Sequence, residues 1–143
     1  MVRRLTIAAL MVGLLALPAS VLPPAQAAIR IDNSIGFATA PDQKWRGGCA
    51  RYAIRWDYRP PNDEWAVKVQ IYAPRGFRIH HLLLDAGADP TRGTERVTFC
   101  GSTVKPGRFK MISTMIYDVG REVHYVRSDP TYFKLYKPRK KRR

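Results

Sequence analysis

The chain has 143 residues, a formal charge of +14 and two cysteines. That length is enough for one domain with a real core, and the chain shows no internal repeat, linker or second domain. The cysteines do not form a C-x-x-C pair, which argues against a redox site, and the charge points toward polyanions: anionic wall polymers, lipid headgroups, polysaccharides or nucleic acid.

The first 27 residues have the layout of a cleaved secretion signal. Arg3 and Arg4 open it, Leu5 to Leu17 is an apolar run, and Ala25-Gln26-Ala27 is an A-x-A cleavage site. The run is about 13 residues, short of the ~20 that a bilayer core requires, and Pro18, Pro23 and Pro24 follow it. No later segment is apolar enough to span a membrane, so a released or envelope-held product is expected. Cleavage leaves 116 residues from Ala28 onward, with charge +12. The terminal Arg139-Lys140-Lys141-Arg142-Arg143 carries +5, so the body between still holds +7.

Ile29 to Phe37 reads as a first strand, with Ile29, Ile31, Ile35 and Phe37 inward. Pro41 to Gly48 is a loop, and Gly47-Gly48 suits a bulge before the next strand. Ala50, Tyr52, Ile54, Trp56 and Tyr58 then alternate with Arg51, Ala53, Arg55, Asp57 and Arg59, giving one buried and one wet face. After the turn Pro60-Pro61-Asn62-Asp63-Glu64, Trp65, Val67, Val69 and Ile71 alternate in the partner strand. Phe77 to Leu84 is ambiguous: its Leu82-Leu83-Leu84 run suits a strand buried on both faces or a short helical crossover, and its length favours the strand. Asp85 to Gly93 is a loop, and Thr94 to Phe99 a short strand with Val97 and Phe99 inside. Cys100 to Lys137 holds the longest unit. Pro106-Gly107 feeds a strand from Arg108 to Tyr117, Asp118 to Arg121 turns it, and Glu122 to Arg127 returns antiparallel, followed by Tyr132 to Lys137. No segment after the signal shows a helical period.

The expected fold is all-β, an antiparallel sandwich of seven or eight strands spanning 28–137, with a basic tail over 138–143. The pattern, with Trp56 or Trp65 as a core tryptophan and Pro106-Gly107-Arg108-Phe109 as the turn into a long penultimate strand, resembles immunoglobulin-like and fibronectin-type-III-like modules of secreted bacterial proteins. Cys49 and Cys100, paired as an exported chain favours, share phase with Arg51 and Thr98, off the apolar faces. A peripheral staple is therefore expected, unlike the inter-sheet bridge of antibody domains. It closes about 50 residues and contributes ~4 kcal/mol in the chain-entropy model.

Residues that carry chemistry are sparse. His80 and His81 are strand neighbours on opposite faces, so they do not share a metal; a site would need one of them with His124 and an acid such as Asp85. Asp57, Asp63 and Glu64 are explained by their turn without calcium. No nucleophile motif surrounds Ser102, Ser113 or Ser128, and no cofactor is expected. Tyr125-Val126-Arg127 and Tyr132-Phe133-Lys134-Leu135-Tyr136-Lys137 interleave aromatic and basic residues. That pattern suits a half-buried last strand better than a base-stacking platform. The leading functional expectation is a secreted, non-enzymatic module. Its basic surface and tail, Arg139 to Arg143, would bind an anionic cell-wall polymer, polysaccharide or other polyanion. The alternative is a small basic hydrolase, nuclease-like, with His124, Glu95 or Glu122, and Arg121 or Arg127. An inhibitor displaying the Asp85–Gly93 loop is a third possibility, without a residue signal of its own.

Overall fold

The computed structural model describes residues 29–138; the signal expected at 1–27 and the cations Arg139 to Arg143 lie outside the described residues. Strand β4 (Cys49–Tyr58) and strand β5 (Trp65–Tyr72) follow the alternation of their sequences. Tyr52, Ile54, Trp56 and Tyr58 of the first, and Trp65, Val67, Val69 and Ile71 of the second, are buried. The others are β1 (Arg30–Ile31), β2 (Gly36–Thr39), β3 (Gln43–Lys44), β6 (Arg78–Asp85), β7 (Arg92–Cys100), β8 (Gly107–Val119), β9 (Glu122–Arg127) and β10 (Thr131–Tyr136). With β1 and β3 only two residues long, eight strands of greater length remain.

The strands form two sheets. In the larger, the 13-residue β8 is the spine. It pairs with β5 along one edge, and β6 extends the sheet beyond β5. Its other edge is shared: β9 runs beside Thr114–Val119 and β10 beside Gly107–Met111. Between them Ser128-Asp129-Pro130 breaks the run, as a proline without an N–H must, while the Ser128 N–H still donates to the Ser113 carbonyl at 3.1 Å. Two short pairings, β1 on β9 and β3 on β10, are parallel, so this sheet is mixed rather than purely antiparallel. The smaller sheet, β2-β4-β7, is antiparallel. Inward residues of both sheets share one apolar cluster. Through it runs a stacked series, with ring centroids 5.5 Å apart for Tyr52–Phe99, 5.8 Å for Phe99–Phe109 and 5.0 Å for Phe109–Phe133.

On one side the sheets are stitched by side chains. The chain leaves β2 and enters β3, and the Gln43 amide reaches back to β4. Its Nε2 donates to the Ala53 carbonyl and its Oε1 accepts from the Ala53 N–H, both at 3.1 Å, continuing the ladder where β2 stops. The Ser113 hydroxyl accepts the Ala38 N–H at 3.2 Å and meets the Tyr58 hydroxyl at 2.7 Å, while the Thr131 hydroxyl donates to the Ala38 carbonyl at 2.6 Å. Buried polar groups must be paired, and these are paired across the sheets.

Besides the antiparallel pairing, two expectations need correction. Residues 29–37 are not one strand: Asp32 caps a 3-10 turn at Asn33–Ile35, and Gly36, with φ +85°, turns the chain into β2. This resets the phase. Ile35 is buried, but Ile29, Ile31 and Phe37 are exposed. Gly36 also packs on β4 so closely that a Cβ would collide with the Asp57 backbone. The second correction concerns Leu82-Leu83-Leu84. It lies in a strand, but Leu83 is 66% exposed, because β6 is an edge strand with solvent on its outer face.

Cys49 and Cys100 are bridged, directly opposed in the β4–β7 register with Cα atoms 3.9 Å apart. The staple joins neighbours within one sheet, and Cys49 is exposed, matching the peripheral position expected from its phase.

Candidate functional site

The outward face of the smaller sheet concentrates arginine. In the β4–β7 register, Arg51 lies opposite Thr98, Ala53 opposite Arg96, Arg55 opposite Thr94 and Asp57 opposite Arg92. Directly opposed residues project from the same face, and diagonal neighbours across an antiparallel pair lie ~7–8 Å apart. Arg51, Arg96, Arg55 and Arg92 are successive diagonals, so they form a zigzag row of guanidinium groups. All four are exposed. Arg92 is engaged by Asp57 at 2.7 Å; among the described residues no ion pair holds Arg51, Arg55 or Arg96. Glu95, the neighbouring acid, belongs to the opposite face, opposite Ile54.

One end of the row opens into a shallow hollow of about 370 Å³. Two cross-strand rows frame it, Phe37–Asp57–Arg92 and Thr39–Arg55–Thr94, with the Trp56–Gly93 pair between them. Gly93 is required here: a Cβ on it would fall 2.8 Å from Cε2 of the Trp56 indole. The indole Nε1 in turn donates to the Pro90 carbonyl at 3.0 Å, tying down the loop before β7. Phe37, 47% exposed, stands at the rim because the 3-10 turn put it on this face.

A second cationic surface lies on the larger sheet. There Arg108 sits 3.9 Å from the centroid of the Tyr132 ring, and Lys110 4.9 Å from that of Tyr72. The aromatic–basic stretch of β10 thus divides as a half-buried last strand should. Phe133 and Leu135 are in the core, and Tyr132, Lys134 and Tyr136 face outward.

The histidines do not converge. His80 lies opposite Ile71 on the inner face and His81 opposite Gln70 on the outer. Burial and then the neighbouring His81 lower the His80 pKa, against an upward pull from Glu95. His124 stacks on Tyr117 with centroids 5.3 Å apart and lies 3.9 Å from the Glu122 carboxylate. Arg127, three positions along β9, projects to the other face, and Glu95 belongs to the other sheet. Asp85 caps its own turn, accepting the N–H of Gly87 at 2.8 Å and of Ala88 at 3.1 Å. Asn62 does the same for Glu64 at 3.0 Å. Among the described residues no three or more His, Cys, Asp or Glu side chains gather as a metal site would need.

No protein-family model, curated protein or solved structure matches the chain. A fold of this kind hosts many activities, so function is read from the site itself.

Proposed function

We propose that this protein is a secreted, non-enzymatic sandwich module of the immunoglobulin-like or fibronectin-type-III-like kind that binds an anionic envelope or extracellular polymer. The observation that carries the reading is the row Arg51–Arg96–Arg55–Arg92, which presents four exposed guanidinium groups with a single paired acid. Guanidinium forks match carboxylate, sulfate and phosphate groups in pairs of hydrogen bonds. A row at regular spacing suits a partner whose charges repeat. The tail Arg139 to Arg143 adds five cations to the same attraction.

The test is retention on heparin and on isolated cell-wall polymer. The double variant Arg51→Ala/Arg96→Ala should elute at markedly lower salt than the parent, and deletion of 139–143 should lower it further. Equal elution of parent and double variant would remove the row from the account. Export is tested by sequencing the amino terminus of the protein recovered outside the cell, expected at Ala28.

One observation favours the hydrolase alternative: the His124–Glu122 approach at 3.9 Å on a stacked tyrosine. RNA or glycan turnover by the purified protein that disappears in His124→Ala would establish it. The binding reading expects no such turnover.

A further inference from the structure

We infer that the hollow beside Arg55 is a subsite for a sugar acid, so that the anionic polymer is an acidic polysaccharide. The inference rests on the polymer-binding reading and narrows it. A row of arginines alone does not distinguish one polyanion from another, because charge attraction is indifferent to what carries the charge. The hollow is not indifferent.

Its chemistry is mixed in a specific way. Phe37 offers an exposed ring, a surface on which the C–H face of a pyranose loses contact with water. Thr39 and Thr94 supply hydroxyls on either side of Arg55, whose guanidinium is free to take a carboxylate or sulfate. Asp57, held by Arg92 through Oδ2 at 2.7 Å, offers Oδ1 as an acceptor. A sugar hydroxyl can donate to it; a phosphate chain has no such donor and no apolar face. Inorganic polyphosphate therefore gains nothing from Phe37 and is repelled by Asp57. Single-stranded nucleic acid would gain from a series of aromatics along the row, and the row carries one, at its end. The volume of about 370 Å³ suits a small ring-sized group at the low end of ligand sites. Arg96 and Arg51 continue away from the hollow and would meet the next charged units of the polymer.

The experiment compares three probes at fixed salt by titration calorimetry: an oligogalacturonate, polyphosphate and oligodeoxythymidylate. Phe37→Ala, at an exposed position, should weaken the oligogalacturonate about tenfold and leave polyphosphate unchanged, and Phe37→Tyr should restore the sugar affinity. Arg51→Ala/Arg96→Ala should weaken both. Loss of neither probe in Phe37→Ala overturns the inference while the polymer-binding reading stands. So does a loss for oligodeoxythymidylate as large as that for oligogalacturonate, which would assign the hollow to a base. If the arginine double variant binds polyphosphate as the parent does, the polymer-binding reading itself falls, and the inference with it.

Discussion

The hydroxyls of Tyr58 and Ser113 meet at 2.7 Å between the two sheets, both buried. Ser113 also takes the Ala38 N–H, so one hydroxyl joins β2 and β4 of the smaller sheet to β8 of the larger. Its loss leaves two buried groups without partners, whereas loss of the phenol leaves Ser113 still bonded to Ala38. Ser113→Ala should therefore cost more, ~2–3 kcal/mol, than Tyr58→Phe, ~1 kcal/mol. The double variant should cost less than their sum. Urea unfolding of the three variants measures the order.

The same pair sets an alkaline limit. Burial raises the Tyr58 pKa well above its ordinary 10.0, with the Ser113 bond pulling the other way. The folded value exceeds the unfolded one, so this stability is complete below pH 10 and is lost as pH rises past it. His80 has the opposite sign: held below its ordinary 6.5 by burial and His81, it contributes stability that is complete above pH 6.5 and lost as pH falls below. Urea midpoints should decline on both sides. Tyr58→Phe should flatten the alkaline decline and His80→Gln the acid one.

Removing the Cys49–Cys100 bridge, which closes a separation of 51 residues, should cost ~4 kcal/mol by the chain-entropy account. Because it joins adjacent strands at a rim, Cys49→Ser/Cys100→Ser should keep the fold. Its circular dichroism should match the parent, with a lower midpoint.

The alternating strands were readable because each has one wet face: Tyr52 to Tyr58 and Trp65 to Ile71 mark their inner faces without tertiary context. Phe37 was not. Its face depends on a three-residue turn upstream that resets phase, signalled only by Asp32 two residues before Ser34 and by Gly36. The arginines of β4 were legible as wet, but their union with Arg92 and Arg96 requires the pairing register. One signal could have supplied it. If Cys49 is opposed to Cys100 in an antiparallel pair, then Arg51 falls opposite Thr98 and Arg55 opposite Thr94 by counting. The Ser113 node was half legible: its phase with Phe109, Met111 and Met115 turns it inward, but its partners Tyr58 and Ala38 lie on strands that only the packing of the two sheets brings to it.

Gly93→Ala probes the floor of the hollow. The added methyl would press on the Trp56 indole and strain its bond to the Pro90 carbonyl. A cost of ~1–3 kcal/mol is expected, with a shift in tryptophan fluorescence and weaker oligogalacturonate binding. Unchanged stability would mean that the indole has room to move.

Salt dependence gives the last prediction. Each arginine of the row that contacts an anionic group should reduce the slope of log affinity against log salt by about 1 when replaced by alanine. Arg51→Ala and Arg96→Ala should do so singly and additively. Arg92→Ala should do less, because its charge is already shared with Asp57.

The two parallel pairings carry a kinetic consequence. Arg30–Ile31 rests on Val126–Arg127, and Gln43–Lys44 on Leu135–Tyr136, so early residues find their neighbours only among the last strands made. Contacts of such long sequence separation form slowly. Pairing of β1 and β3 should therefore come late in refolding, after the β8–β9 and β8–β10 pairs on which they rest have formed.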